Sequence, residues 1–210
     1  MNFREVKAIG DKNVKISVAA GHFATNHSHI NYYIDLTDVK SLHKMAKRAA
    51  VILADKYRMT NIDTVICLEG TEVIGAFLAE ELAKTSLIDM NSGVDISIIA
   101  PEMNSNNQMI FRDNSVKMIH GKDILLLIAS LSTGKTVSRA LDCISYYEGR
   151  LAGISAVFSA IGEVDKVPVN SVFTTRELSD YQTFVPKECE MCADRLRLDA
   201  IVNSYGFSKL

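Results

Sequence analysis

The sequence has no block of lysine and arginine, no long apolar run and no internal repeat. The first absence argues against a general nucleic-acid binder, because 23 basic residues are offset by 25 acidic ones and leave a formal net charge of −2. No apolar stretch approaches the ~20 residues that span a bilayer, and the opening Met-Asn-Phe-Arg-Glu-Val lacks a signal-peptide core. A cytoplasmic protein without a membrane or nucleic-acid partner is therefore expected. No low-complexity tract or linker divides the chain, so residues 1–210 are expected to form one domain around one substantial core. Cysteine is scarce, at four residues. Cys67 and Cys143 fall in an expected strand and an expected helix, where a thiol acts as a small buried hydrophobe. Cys189 and Cys192 form a Cys-x-x-Cys pair, a spacing that suits zinc or dithiol chemistry. No second pair follows at finger spacing, so the expectation is a reduced pair in a C-terminal turn and no metal, with a half-site completed by a partner subunit as the alternative. His22, His27 and His29 lack a nearby acidic cluster and are expected to hydrogen-bond within a turn.

Apolar residues make up 48% of the chain and charged ones 23%, ordinary values for a globular protein. Residues 14–18 and 30–34 read as extended runs around a polar turn over 21–29, which suggests an antiparallel hairpin. Leu42, Met45, Ala46, Ala49, Ile52 and Leu53 lie at helical spacing after a cap at Thr37 or Asp38. Residues 64–68 and 94–100 read as buried strands. The first breaks into Glu69-Gly-Thr-Glu72 and a helix through Ile74, Phe77, Leu78 and Leu82. Residues 101–119 are polar and Asn-rich, too long a stretch for an ordinary connection. A strand at 124–128, a turn at 130–134, a helix at 137–147 and a strand at 153–158 follow. The tail offers a strand at 169–174 and a short helix near 196–202. Continuous apolar strands alternating with amphipathic helices imply an α/β fold, a parallel sheet covered on both faces. Ligands of such sheets sit at the carboxyl ends of the strands.

The most informative stretch is residues 122–136. A buried strand runs into a turn of small residues and then a helix from about Lys135. Such a turn points backbone N–H groups and the positive end of the helix dipole at one spot, which suits a phosphate. Ser132-Thr-Gly-Lys-Thr136 also matches the end of a P-loop. That motif needs Gly where Ala129 stands, which leaves a P-loop NTPase as a remote alternative.

The layout resembles the phosphoribosyl-pyrophosphate (PRPP) motif of type I phosphoribosyltransferases, in which an apolar strand leads into two adjacent acids and then Thr-Gly-Gly-Thr or a variant. Here the phosphate turn is kept, while Ile128 and Ala129 stand where the acids belong. Gly21-His-Phe23 followed by Tyr32-Tyr-Ile-Asp35 resembles the N-terminal cap of orotate phosphoribosyltransferases. Glu69-Gly-Thr-Glu-Val-Ile-Gly-Ala76 sits at the place of that family's pyrophosphate loop, and residues 101–120 at the place of its catalytic loop. The resemblance covers residues 14–160. It implies a parallel twisted sheet flanked by helices, with a cap hairpin over 13–36, a core over 37–160 and a tail over 161–210 that completes core or cap. It further implies a 5-phosphate held by Ser130, Ser132, Thr133, Gly134, Lys135 and Thr136, and a pyrophosphate held by Glu69, Gly70, Thr71 and Glu72. Phe23, Tyr32 and Tyr33 would face the base, Arg112 and Lys117 would be the catalytic cations, Mg²⁺ would accompany PRPP, and the chain would form a homodimer. The implied activity is transfer of phosphoribosyl from PRPP to a pyrimidine-like base. Charge-assisted hydrogen bonds are worth roughly 1.5–3 kcal/mol each, so loss of both motif acids would weaken or abolish that activity unless Glu69, Glu72 or Glu102 compensates. The alternative is a non-catalytic nucleotide or 5-phosphate binding protein on the same fold.

Overall fold

Alternating apolar residues in the first 35 positions build one antiparallel unit. In the computed structural model, which describes residues 1–84, 89–104 and 108–210, strands β1 (Phe3–Lys7), β2 (Lys15–Ala24) and β3 (His29–Asp35) pair antiparallel. The turn expected over 21–29 is shorter than that. β2 continues through Gly21, His22 and Phe23, past a register shift between Ala20 and Phe23, because the Phe23 ring is fully buried. Only residues 25–28 turn, and the Thr25 hydroxyl accepts from the His27 and Ser28 N–H groups at 3.1 and 2.9 Å.

The single helix expected after Thr37 is two, α1 (Thr37–Ser41) and α2 (His43–Ala54), because Leu42 is extended at φ −87° and ψ 109°. Neither Thr37 nor Asp38 caps α1: Leu36 is the N-cap residue, without a side-chain cap bond, and the Asp35 carboxylate before it accepts from the Thr37 N–H at 2.9 Å. β4 (Thr64–Cys67) is buried throughout and leads into α3 (Glu72–Leu82). β5 (Ser97–Ile99) is shorter and wetter than the buried strand expected over 94–100, since it pairs on one side only, with β4. The connection that follows carries a ribbon of β6 (Glu102–Met103) and β7 (Met109–Ile110), then α4 (Asp113–Val116). Residues 105–107 of this expected catalytic loop lie outside those described.

The remaining elements are β8 (Asp123–Leu131), α5 (Lys135–Tyr146), β9 (Arg150–Ser159), β10 (Glu163–Val164), β11 (Val167–Thr174), β12 (Thr183–Phe184), α6 (Glu190–Ala193), β13 (Ala200–Asn203) and β14 (Gly206–Lys209). One sheet runs β10-β11-β9-β8-β4-β5, parallel except for β10. The other runs β12-β3-β2-β13-β14, with β1 also on β2. The short helix expected near 196–202 is absent. Ala200 and Val202 are buried and Ile201 and Asn203 exposed, a period of two, and β13 pairs parallel with β2, Ala200 opposite Phe23.

β8 is apolar on both sides because both faces of its sheet are covered. Leu125, Leu127 and Ala129 face α2 and α3 through Leu53 and Leu78, while Leu126 and Ile128 face α5 through Val137 and Ile144. Phe23, Ile30, Tyr33, Ala200 and Val202 form a separate small core under the cap. Among the described residues no helix is long and apolar enough to cross a membrane.

Candidate functional site

β4 and β8 lie side by side, Cys67 opposite Leu127, so the turns that follow them meet. After β8 the chain reaches Gly134, which opens α5 at φ +79°. An L-residue is strained at that angle, and a Cβ there would stand 3.3 Å from Val164 Cγ2. The first turn of α5 has N–H groups without intrahelical partners and the positive end of the helix dipole. Ser130, Ser132, Thr133, Gly134, Lys135 and Thr136 all line one cleft of about 200 Å³. Its other walls come from the hairpin turn (His27, Ser28), from Tyr33, from Tyr181 and from the tail residues Asn203 and Ser204. The Tyr181 hydroxyl lies 2.9 Å from Ser132 Oγ and holds the 130–134 turn from the cap side.

Glu69 is the carboxylate of this cleft. It sits at φ +60°, next to Gly70 at φ +77°, and its Oε2 accepts from the Ser130 N–H at 3.3 Å. Strained angles of this kind concentrate at ligand sites. Lys40 closes the floor beneath it, donating to the Glu69 carbonyl at 3.0 Å and the Ser204 carbonyl at 2.7 Å. Burial pushes the Lys40 ammonium down, against the pull of Glu69 and Asp35. Burial also pushes the Glu69 carboxyl up, against the Ser130 N–H and the Lys40 charge. A carboxyl raised on folding costs nothing below its unfolded pKa and destabilises progressively as pH rises through that value towards the folded one. Glu69→Gln, which keeps an acceptor for Ser130, is therefore expected to raise the melting temperature at pH 7 and to leave it unchanged below pH ~4. Calorimetry at the two pH values reads this directly, and equal shifts at both would refute the burial argument.

The other expected site residues divide. Thr71 is buried and donates to the carbonyls of Leu68 at 3.0 Å and Leu127 at 3.2 Å, so its side chain ties β4 to β8 rather than facing a ligand. Glu72 is exposed on the first turn of α3. Tyr33 lines the cleft, and burial pushes its phenol to about 12. Tyr32 points to the opposite face, as strand alternation requires, and donates to the Asp180 carboxylate. Phe23 is locked in the cap core. Arg112 holds Glu102 through two 2.7 Å bonds on the β6–β7 ribbon, and Lys117 is exposed just past α4; neither lines the cleft. Glu102 is thereby occupied as well. Ile128 and Ala129 are buried in opposite core clusters. Lys40 and Tyr181 escaped the sequence reading. Lys40 looks like any solvated helix lysine, and Tyr181 lies in the tail beyond the resemblance.

A Mg²⁺ ion wants near-octahedral oxygen ligands. Among the described residues lining the cleft Glu69 is the one carboxylate, and positions 128 and 129 are buried and apolar. The donor set that the described residues offer in this cleft does not fit a Mg²⁺ site.

No protein-family model and no curated protein matches the chain. Solved structures do. Leishmania donovani UMP synthase aligns at TM-score 0.57 and 16% identity over 77% of this chain and 34% of its own, so the chain spans about a third of that protein. Mycobacterium tuberculosis H37Rv orotate phosphoribosyltransferase, solved in complex with PRPP, aligns at TM-score 0.52 and 14% identity over 70% of this chain and 82% of its own. Adenine phosphoribosyltransferase from Thermoanaerobacter pseudethanolicus aligns at TM-score 0.52 and 14% identity over 82% and 95%. At these identities the likeness is one of architecture: the chain has the type I phosphoribosyltransferase fold.

Proposed function

We propose that the cleft binds the 5-phosphate of a phosphoribosyl or nucleotide ligand, and that the protein acts by binding it rather than by efficient transfer. One contrast carries this reading. The phosphate turn opens into the cleft, whereas of the two strand positions that precede it Ile128 is closed off in the core and Ala129 offers only a methyl group to a small neighbouring pocket. An anion can be held by the α5 N-terminus, the Ser132, Thr133 and Thr136 hydroxyls and the Lys135 charge. Nothing at 128 or 129 can accept from ribose hydroxyls. The likeness in fold to a protein solved with PRPP supports a phosphoribosyl ligand.

A second reading, transfer of phosphoribosyl to a pyrimidine-like base, is favoured by Glu69 alone. Its carboxylate reaches the Ser130 N–H, one residue beyond the missing acids.

Isothermal titration of PRPP, a nucleoside 5-monophosphate and inorganic phosphate, each with and without Mg²⁺, separates the readings. The binding reading expects similar affinities that Mg²⁺ leaves unchanged. A Mg²⁺-dependent preference for PRPP, with pyrophosphate released when a base is added, would replace it with the second. In the same assay Lys135→Gln is expected to lower affinity for phosphate about 3–10-fold and to flatten its salt dependence. Lys135 is exposed, so thermal stability should not move.

A further inference from the structure

The cap carries a second constellation outside the cleft. His22 and His29 belong to β2 and β3, and Cys189 and Cys192 flank and enter α6, with Cys189 167 residues beyond His22. One ligand-type atom from each of the four lies within 4.8 Å of the others. We propose that these side chains form a Cys₂His₂ zinc site that clamps the C-terminal tail onto the N-terminal cap.

Counting hydrogen bonds argues against the ordinary alternative. His22 Nδ1 lies 2.9 Å from the Leu196 carbonyl, which can only accept, so Nδ1 carries the proton and Nε2 presents one lone pair. Three groups crowd that lone pair: His29 Nδ1 at 3.0 Å, Cys189 Sγ at 3.5 Å and Cys192 Sγ at 3.7 Å. That lone pair accepts one conventional hydrogen bond, which does not account for all three close approaches. Four donor atoms facing inward do satisfy one cation. Tetrahedral zinc, with Zn–N near 2.0–2.1 Å and Zn–S near 2.3 Å, sets its ligand atoms about 3.3–3.8 Å apart. Four separations, 3.0 Å between the histidine nitrogens and 3.3, 3.5 and 3.7 Å from nitrogen to sulfur, lie within a few tenths of an ångström of these values, and all four atoms lie within 4.8 Å of one another.

The surroundings fit a structural metal. The Leu196 carbonyl fixes the tautomer of His22, the usual outer-shell arrangement for a metal-bound imidazole. Cys189 stands at the N-cap of α6 and Cys192 within it, which brings both sulfurs to one side. Two thiolates and two imidazoles favour Zn²⁺ over hard cations such as Mg²⁺ or Ca²⁺. Backbone bonds already align the segments: the His22 N–H donates to the Asp199 carboxylate and the Asp199 N–H to the His22 carbonyl, both at 2.8 Å. The two histidines also bracket the hairpin turn whose His27 and Ser28 wall the cleft. Holding this turn and the tail together would fix two of the cleft's walls at once.

Elemental analysis of the full-length, untagged protein purified without chelator should find about one zinc per chain. Replacement by Co²⁺ should give the intense d–d bands of a tetrahedral site and a thiolate-to-cobalt charge-transfer band. Cys192 is exposed, so Cys192→Ser should fold, yet lose much of the charge-transfer band and release zinc to a competing chelator far more readily than the parent. The proposal is overturned if the reduced protein binds neither Zn²⁺ nor Co²⁺ on titration. It is equally overturned if Cys192→Ser and His29→Ala retain the ion as tightly as the parent. Binding of inorganic phosphate to the same preparation is read separately, so a failed metal titration leaves the cleft reading standing and the reverse also holds.

Discussion

Ile128→Glu is expected to collapse the stability of the protein rather than to restore a lost catalytic acid. Ile128 is fully buried and packs with Val137, Ile144 and other apolar residues on the α5 side of the sheet. Losing its packing costs about 2–5 kcal/mol. The new carboxylate meets no cation in that cluster and adds a further penalty of a few kcal/mol, ionised or protonated. Against a typical total of about 5–15 kcal/mol, the sum leaves little folded protein. At roughly 2–4 °C per kcal/mol for a chain of this size, the melting temperature should drop by about 10 °C or more. Ala129→Asp should be far milder. Ala129 faces the other side and lines a small pocket shared with Lys40, whose half-buried ammonium would partner a carboxylate. Urea titration of the two single variants distinguishes these fates. An Ile128→Glu variant with the parent's midpoint would mean that this position is not core, and the contrast on which the binding reading rests would go with it.

Gly153→Ala is expected to cost about 3 kcal/mol, an unusually large effect for one methyl group. An added Cβ would lie 2.5 Å from Tyr57 Cε1 and 3.0 Å from its hydroxyl oxygen. The ring cannot step aside cheaply, because its hydroxyl donates to the Ile154 carbonyl and accepts from Ser155 Oγ, both at 3.0 Å. Gly153 also sits where β9 shifts register against β8, between the Ile124 and Leu125 pairings. Relief would therefore have to come from moving a central strand. The same overlap predicts rescue: Tyr57→Phe in the Gly153→Ala background frees the ring and should recover part of the loss in a thermal melt. Failure of Gly153→Ala to lower the melting temperature would show that β9 shifts more readily than its central place suggests.

The core sheet was legible because its central strands are buried on both faces, which leaves an unbroken apolar signature in residues 64–67 and 124–128. The turn over residues 130–134 was legible for a local reason, since Gly134 and its polar neighbours serve one short stretch of backbone. What failed was set by distant partners. Residues 94–100 look as apolar as a central strand, yet β5 lies at an edge, and edge or centre is decided by chain placement. The segment 196–202 reads as a helix until β2 offers it an edge to pair with. Tyr32, Tyr33 and Phe23 are all plausible ring contacts, but strand alternation and the covering β13 send only Tyr33 to the cleft. Arg112 occupies the position of the family's catalytic loop in the sequence, yet Glu102 holds it on the ribbon. The histidines and the Cys-x-x-Cys pair lie far apart in sequence. No spacing rule joins residues 22 and 29 to residues 189 and 192.

The parallel pairing of β13 with β2 has a consequence in time. A nascent chain can assemble β4, β8 and β9 well before position 200 exists, while the Phe23–Ala24 end of β2, beyond the stretch that β1 covers, waits for its partner. Asn203 and Ser204, which wall the cleft, arrive later still. Synthesis thus supplies the strands of the central sheet first and completes the cap core, through Ala200 and Val202, and the cleft walls last.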